Sequence, residues 1–222
     1  MDIDSAIQIK DSEFDAYVEC KKIRERWGRE NAALQYRAGW IYQQILKLLC
    51  HRIIDSLSET YVVVDADVMF VRDVYFNPNN FQYNESTQYH IPYKKSYEKL
   101  VGEADSSALL LKRRQRHSFI SHHMVFNKII MEELIHHIES YHKKDFVEAL
   151  LDSIDYEQKS PFSEWDLYGN WMHENHKDKC EHRQLKWLEI DFIPTQEKLQ
   201  ELSNNYDIVC SHSWSRNKAF AE

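Results

Sequence analysis

Within residues 38–54 the apolar positions Ile41, Ile45, Leu48 and Leu49 recur at i, i+4, i+7 and i+8, the stripe of a helix that lays one face on a core. The helix leads into Tyr61-Val62-Val63-Val64-Asp65-Ala66-Asp67-Val68-Met69-Phe70, an apolar run that two carboxylates interrupt before it resumes. Its β-branched residues predict a buried strand of the parallel type, ending in an acidic turn.

The remaining pattern alternates between the two periods. Residues 6–9 read as a short strand, and residues 13–27 as a helix closed by Gly28. A turn is expected at Asn77-Pro78-Asn79-Asn80 and a short strand at Tyr89-His90-Ile91. Met124-Val125-Phe126 reads as a core strand. The helix after it, over 128–141, turns Ile129, Leu134, Ile135 and Ile138 inward and leaves His136 and His137 on the surface. Helices follow over 145–154 and from Glu164 to about Met172, the latter capped by Ser163. Strands are expected over 185–190 and 206–210, with a short helix over 196–202 between them. Strand and helix alternate throughout, which predicts a single α/β domain over 1–222 with a sheet of mixed direction.

Composition narrows the classes. The chain has 222 residues, enough for one large domain, and only four Gly and four Pro, which argues against a loop-rich all-β fold. A net charge of −8 disfavours a general nucleic-acid binder. Cys20, Cys50, Cys180 and Cys210 form no C-x-x-C, so reduced thiols in a cytoplasmic compartment are expected. No apolar run approaches the roughly 18 residues of a membrane span. Thirteen Tyr and six Trp offer stacking faces for sugar rings or bases, or simply an aromatic core.

Candidate chemistry centres on Asp65 and Asp67. Ligands of open α/β sheets sit beyond strand ends, where Asp-x-Asp can hold a hard divalent cation through oxygen. The plainer alternative is a capping turn, and Asp2-Ile3-Asp4 is a chance copy at a solvated terminus. His212 lies just past the last strand, placed to complete the coordination if the two strands are neighbours. Glu164 and Asp166 are either catalytic carboxylates or partners of a helix dipole. The cluster Lys112, Arg113, Arg114 and Arg116 could meet phosphate or an acidic acceptor, or be a solvated loop. His173, His176, Cys180 and His182 have zinc-ligand chemistry, but their spacing fits no common structural zinc pattern and the stretch reads as a solvated loop.

Five blocks resemble the GT-A class of nucleotide-sugar-dependent glycosyltransferases. They are Gly39-Trp40-Ile41-Tyr42-Gln43-Gln44-Ile45-Leu46-Lys47-Leu48, Val64-Asp65-Ala66-Asp67, Ser118-Phe119 with His122-His123-Met124, Ser163-Glu164-Trp165 with Tyr168-Gly169-Asn170, and His212-Ser213-Trp214. The likeness is greatest to a family from bacteria and large DNA viruses that includes the domain glycosylating the capsid protein of chlorella viruses. It implies a Rossmann-like mixed central sheet flanked by helices. It also implies Mn²⁺ or Mg²⁺ on Asp65, Asp67 and His212, bridging the diphosphate of a UDP- or GDP-sugar. Gln44, Lys47, Ala66 and Trp214 would contact the donor, while His122, His123 and Arg114 would line the sugar or acceptor pocket. A glycan or glycoprotein would be the acceptor, with Glu164 or Asp166 the base of an inverting transfer. Such enzymes usually open with a strand–helix–strand unit around the base, and here that unit is expected to be abbreviated.

Overall fold

A computed structural model describes residues 8–77, 80–86, 88–102 and 117–216, with the side chain of Trp214 excepted. After a 3₁₀ turn at Asp11–Phe14 come helices α1 (Cys20–Glu30) and α2 (Ala38–Leu49). Strands β1 (Thr60–Val64), β2 (Val68–Phe70) and β3 (Phe81–Asn84) precede α3 (Ile91–Val101). Strand β4 (His123–Asn127) feeds α4 (Lys128–His142), α5 (Phe146–Ser153) and α6 (Glu164–Asn175). The chain then runs through β5 (Cys180–Arg183), β6 (Trp187–Glu189), α7 (Gln196–Leu202), β7 (Ile208–Cys210) and the helical turn α8 (Ser213–Arg216). The fold is mixed α/β, and none of its described helices is long and apolar enough to cross a membrane.

The strands form three small hydrogen-bonded sheets. β1 pairs antiparallel with β4, β7 lies between antiparallel β2 and parallel β6, and β3 pairs parallel with β5. This corrects the expectation of a buried parallel-type strand at 61–64. β1 runs antiparallel and alternates: Tyr61 is buried, while Val62 and Val64 are exposed. An apolar β-branched run fits an edge strand as well as a buried one, because its packing depends on neighbours that the run does not encode. The fully buried strands are β4 and β7.

α2 buries Ile41, Ile45, Leu48 and Leu49 as the stripe predicts. α4 buries Ile130, Met131, Leu134, Ile135 and Ile138, whereas Ile129 is 65% exposed, one position out of phase with that face. α1 starts at Cys20 and continues through Gly28, where a Cβ would come within 2.7 Å of the Gln35 side-chain nitrogen. Ile91 opens α3, with Pro92 in its first turn, so no strand forms there. Residues 8 and 9 carry no regular structure, and among the described residues no strand precedes β1. Asp2, Asp4, Pro78 and Asn79 lie outside the described residues.

Candidate functional site

Asp65-Ala66-Asp67 is the turn by which the chain leaves one sheet and enters another. The Val68 amide donates to the Asp65 carbonyl at 3.2 Å and closes it. β1 is antiparallel to β4, so its carboxyl end meets the amino end of β4, and the Asp65 amide donates to the carbonyl of His122 at 2.9 Å. β2 is antiparallel to β7, so its amino end meets the carboxyl end of β7, and the Ser211 amide donates to the carbonyl of Asp67 at 2.9 Å. Two strand pairings therefore deliver two histidines to one acidic turn. His212 Nδ1 lies 2.7 Å from Asp67 Oδ2, His122 Nδ1 lies 3.5 Å from Asp65 Oδ2, and the two rings are 5.0 Å apart.

Behind the turn, Lys47 of α2 reaches Asp65 Oδ1 and, at 2.6 Å, Glu164 Oε1. Its ammonium also sits 4.5 Å from the centre of the Trp165 ring. Burial alone would lower the Lys47 pKa, but Glu164 and Asp65 outweigh it and hold the group above its ordinary value. Burial works against ionised Asp65 too, and the bonds from His122 and Lys47 overcome it, so its pKa is lowered. Glu164 is closed to solvent, and burial pushes its pKa up against the pull of Lys47.

The turn opens onto a cleft of ≈ 540 Å³ whose walls include Trp40, Gln43, Asp65, Ala66, Asp67, His122, His212 and Arg216. A second cavity of ≈ 330 Å³ is also bordered by His122 and is walled in part by Ser121, Trp187 and Tyr206. His122 also packs edge-on against Trp187, with ring centroids 5.1 Å apart.

Not every expected residue reaches this place. The expectation for His123 is corrected: it is 2% exposed, with Phe70 and Phe76 against its ring, because it opens the fully buried strand β4, whereas left-handed His122 stands just before that strand. Gln44 is 1% exposed and cannot touch a donor directly; its Oε1 accepts the Glu164 amide at 3.1 Å, and the neighbouring Gln43 faces the cleft. Asp166 is fully buried, paired with Lys94 at 3.0 Å and accepting the Phe119 amide at 2.7 Å, so it has no oxygen open to an acceptor. Ser163 caps α6 through the Asp166 amide, as the sequence predicts. Trp214 lies in α8, beyond Ser213 of the cleft wall. Arg114 lies outside the described residues, as do Lys112, Arg113 and Arg116.

The residues present suit a divalent cation. Asp65 and Glu164 share one ammonium, Lys47, while Asp67 brings a further carboxylate to the cleft beside His212. The donors on offer are carboxylate oxygen and imidazole nitrogen, a set that fits Mn²⁺ or Mg²⁺ with a nitrogen admixture. Cys210 was not anticipated: its sulfur lies within 4.8 Å of the ligand atoms of His122 and His212. Burial, with Asp67 and Asp65 nearby, pushes that thiol up to about 12. Arg216, Gln43, Trp187 and Tyr206 were also missed; Gln43 sits on the polar face of α2, and the others carry no local motif.

A family model, described as "Family of unknown function (DUF6492)", matches residues 6–222. No curated protein matches the chain.

Proposed function

This chain belongs to that family of unknown function, and we propose that it is a metal-dependent glycosyltransferase of the GT-A type. In this reading it moves a sugar from a UDP- or GDP-sugar to a glycan or glycoprotein acceptor. The observation that carries the proposal is the convergence of Asp65, Asp67 and His212 at one end of a cleft, with Arg216 on its wall.

Asp65, Asp67 and His212 would hold Mn²⁺ or Mg²⁺. Bound there, the cation would offset the charge that develops on the leaving nucleotide diphosphate. Lys47 keeps Asp65 ionised, and Glu164 holds Lys47 in place, so Glu164 acts through the lysine rather than as the base. Arg216, tethered to the Ser211 carbonyl at 2.6 Å, would meet a phosphate oxygen. Across His122, Trp187 and Tyr206 offer ring faces to a sugar. Free thiols at all four cysteines accord with a cytoplasmic setting.

A second reading is a non-catalytic domain that binds a nucleotide or sugar. It is favoured by one observation, that Glu164 and Asp166 are both closed to the cleft. The two separate on turnover. The experiment is calorimetric titration of UDP, GDP and their sugars with Mn²⁺ and with EDTA, on the native protein and on Asp67→Ala, followed by a sugar-release assay on whichever nucleotide sugar binds. Binding that requires Mn²⁺ and Asp67, with turnover, supports the enzyme. Such binding without turnover selects the second reading, and no binding by folded protein removes both.

A further inference from the structure

A second group of metal-binding side chains lies apart from the acidic turn and shares no residue with it. His117 precedes β4, His173 lies in the last turn of α6, and His182 is on β5. One ring nitrogen of each falls within 4.8 Å of the others. His173 Nδ1 and His182 Nε2 are 3.2 Å apart, and the His117 ring centroid lies 4.3 Å from that of His173 and 4.5 Å from that of His182. Two imidazole nitrogens bound at the usual zinc distance and a tetrahedral angle are about 3.3 Å apart, so the observed pair already has the spacing of two ligands.

Glu85 stands behind the rings. One of its carboxylate oxygens is 2.5 Å from His117 Nδ1 and the other 3.5 Å from His182 Nδ1. A carboxylate in that position takes the N–H of the outer ring nitrogens, fixes both tautomers and leaves Nε2 as a lone pair facing inward. Three ring nitrogens thus lie within 4.8 Å of one another, two of the rings backed by an acid that is not itself among them.

We propose that His117, His173 and His182 bind a zinc-class transition metal ion, with Glu85 orienting two of the imidazoles and water completing the coordination. The ion would tie α6 and the β3–β5 sheet to the segment that leads into His122. Nitrogen donors select zinc or cobalt here, while the oxygen-rich turn at Asp65 selects harder cations. The two sites are therefore separable by metal as well as by mutation.

The test uses the full chain, stripped with chelator and titrated with Co²⁺ and then Zn²⁺, in native, Asp67→Ala, His182→Ala and His117→Ala forms. One equivalent of Co²⁺ with the intense visible absorption of a four-coordinate ion is expected in the native and Asp67→Ala proteins. Zn²⁺ should abolish the absorption, and both histidine variants should lack it. Loss of the band in Asp67→Ala with retention in the histidine variants overturns the proposal, as does its absence from the native protein. Should the histidine variants fail to fold, X-ray absorption of the zinc-loaded native protein decides: three imidazole ligands support the site, and one or none overturns it.

Discussion

The amide of Asp65 donates to the carbonyl of His122 at 2.9 Å, and His122 holds a left-handed backbone, φ 59°, to make that bond. Side chains with a Cβ pay roughly 1 kcal/mol or more for this conformation, and β-branched ones more. At position 122 the order of stability should therefore be Gly above Ala above Val, with Val about 2 kcal/mol below Gly. Urea denaturation of the three variants measures it. Equal stabilities would mean that the turn does not depend on the left-handed residue.

Lys47 donates to the buried Glu164 carboxylate at 2.6 Å. Lys47→Met strands that charge, and the expected loss is about 3 kcal/mol. Adding Glu164→Gln removes the stranded charge and should recover more than half. A double-mutant cycle by chemical denaturation checks the coupling; additive losses would show that the two groups do not depend on each other.

Gly169 lies inside α6, where alanine normally gains about 1 kcal/mol over glycine. Here a Cβ would come within 2.4 Å of the Phe119 ring. Gly169→Ala should accordingly destabilise by about 1–3 kcal/mol, the opposite sign. Thermal or urea unfolding decides, and a stabilised variant would contradict the close approach of α6 to Phe119.

His123 carries a pH dependence. Burial, chiefly against Phe70 and Phe76, brings its pKa down to about 4; Arg183 and His122 push the same way, while the Ser121 carbonyl and Asp65 oppose. The unfolded chain takes up the proton near pH 6.5 and the folded chain only near 4. Its contribution is thus complete above about pH 6.5 and shrinks as pH falls toward 4, by at most about 3 kcal/mol. His123→Phe should flatten that part of the stability curve. An unchanged slope would assign the titration to another group.

How much could be read in advance depended on whether the cause was local. The α2 stripe, the Ser163 cap and the helix at 196–202 follow from residues within a turn or two of each other. Strand direction did not, since β1 takes its pairing from β4, far along the chain. Asp65, Asp67 and His212 all border one cleft. The neighbours were assigned less well. Gln44 falls on the apolar stripe, three residues after Ile41 and four before Leu48, so its burial was legible in helical phase, whereas the split between His122 and His123 comes from the left-handed backbone of His122 just before β4, which no periodicity encodes. The zinc-like stretch was dismissed on spacing. It is the end of α6 and β5 rather than a loop, and there His176 pairs with Glu133 at 2.9 Å while His117, remote in sequence, takes its place beside His173 and His182.

The acidic turn draws its partners from the whole chain: Lys47 lies 18 residues before Asp65, Glu164 lies 117 residues after Lys47, and His212 lies 145 residues after Asp67. No short fragment can assemble it. Loop closure over such spans comes late in folding, so the site forms only once α2, α6 and β7 have docked. A ligand that recognises this turn would consequently act as a latch on the finished fold, slowing its unfolding while leaving the speed of its formation almost untouched.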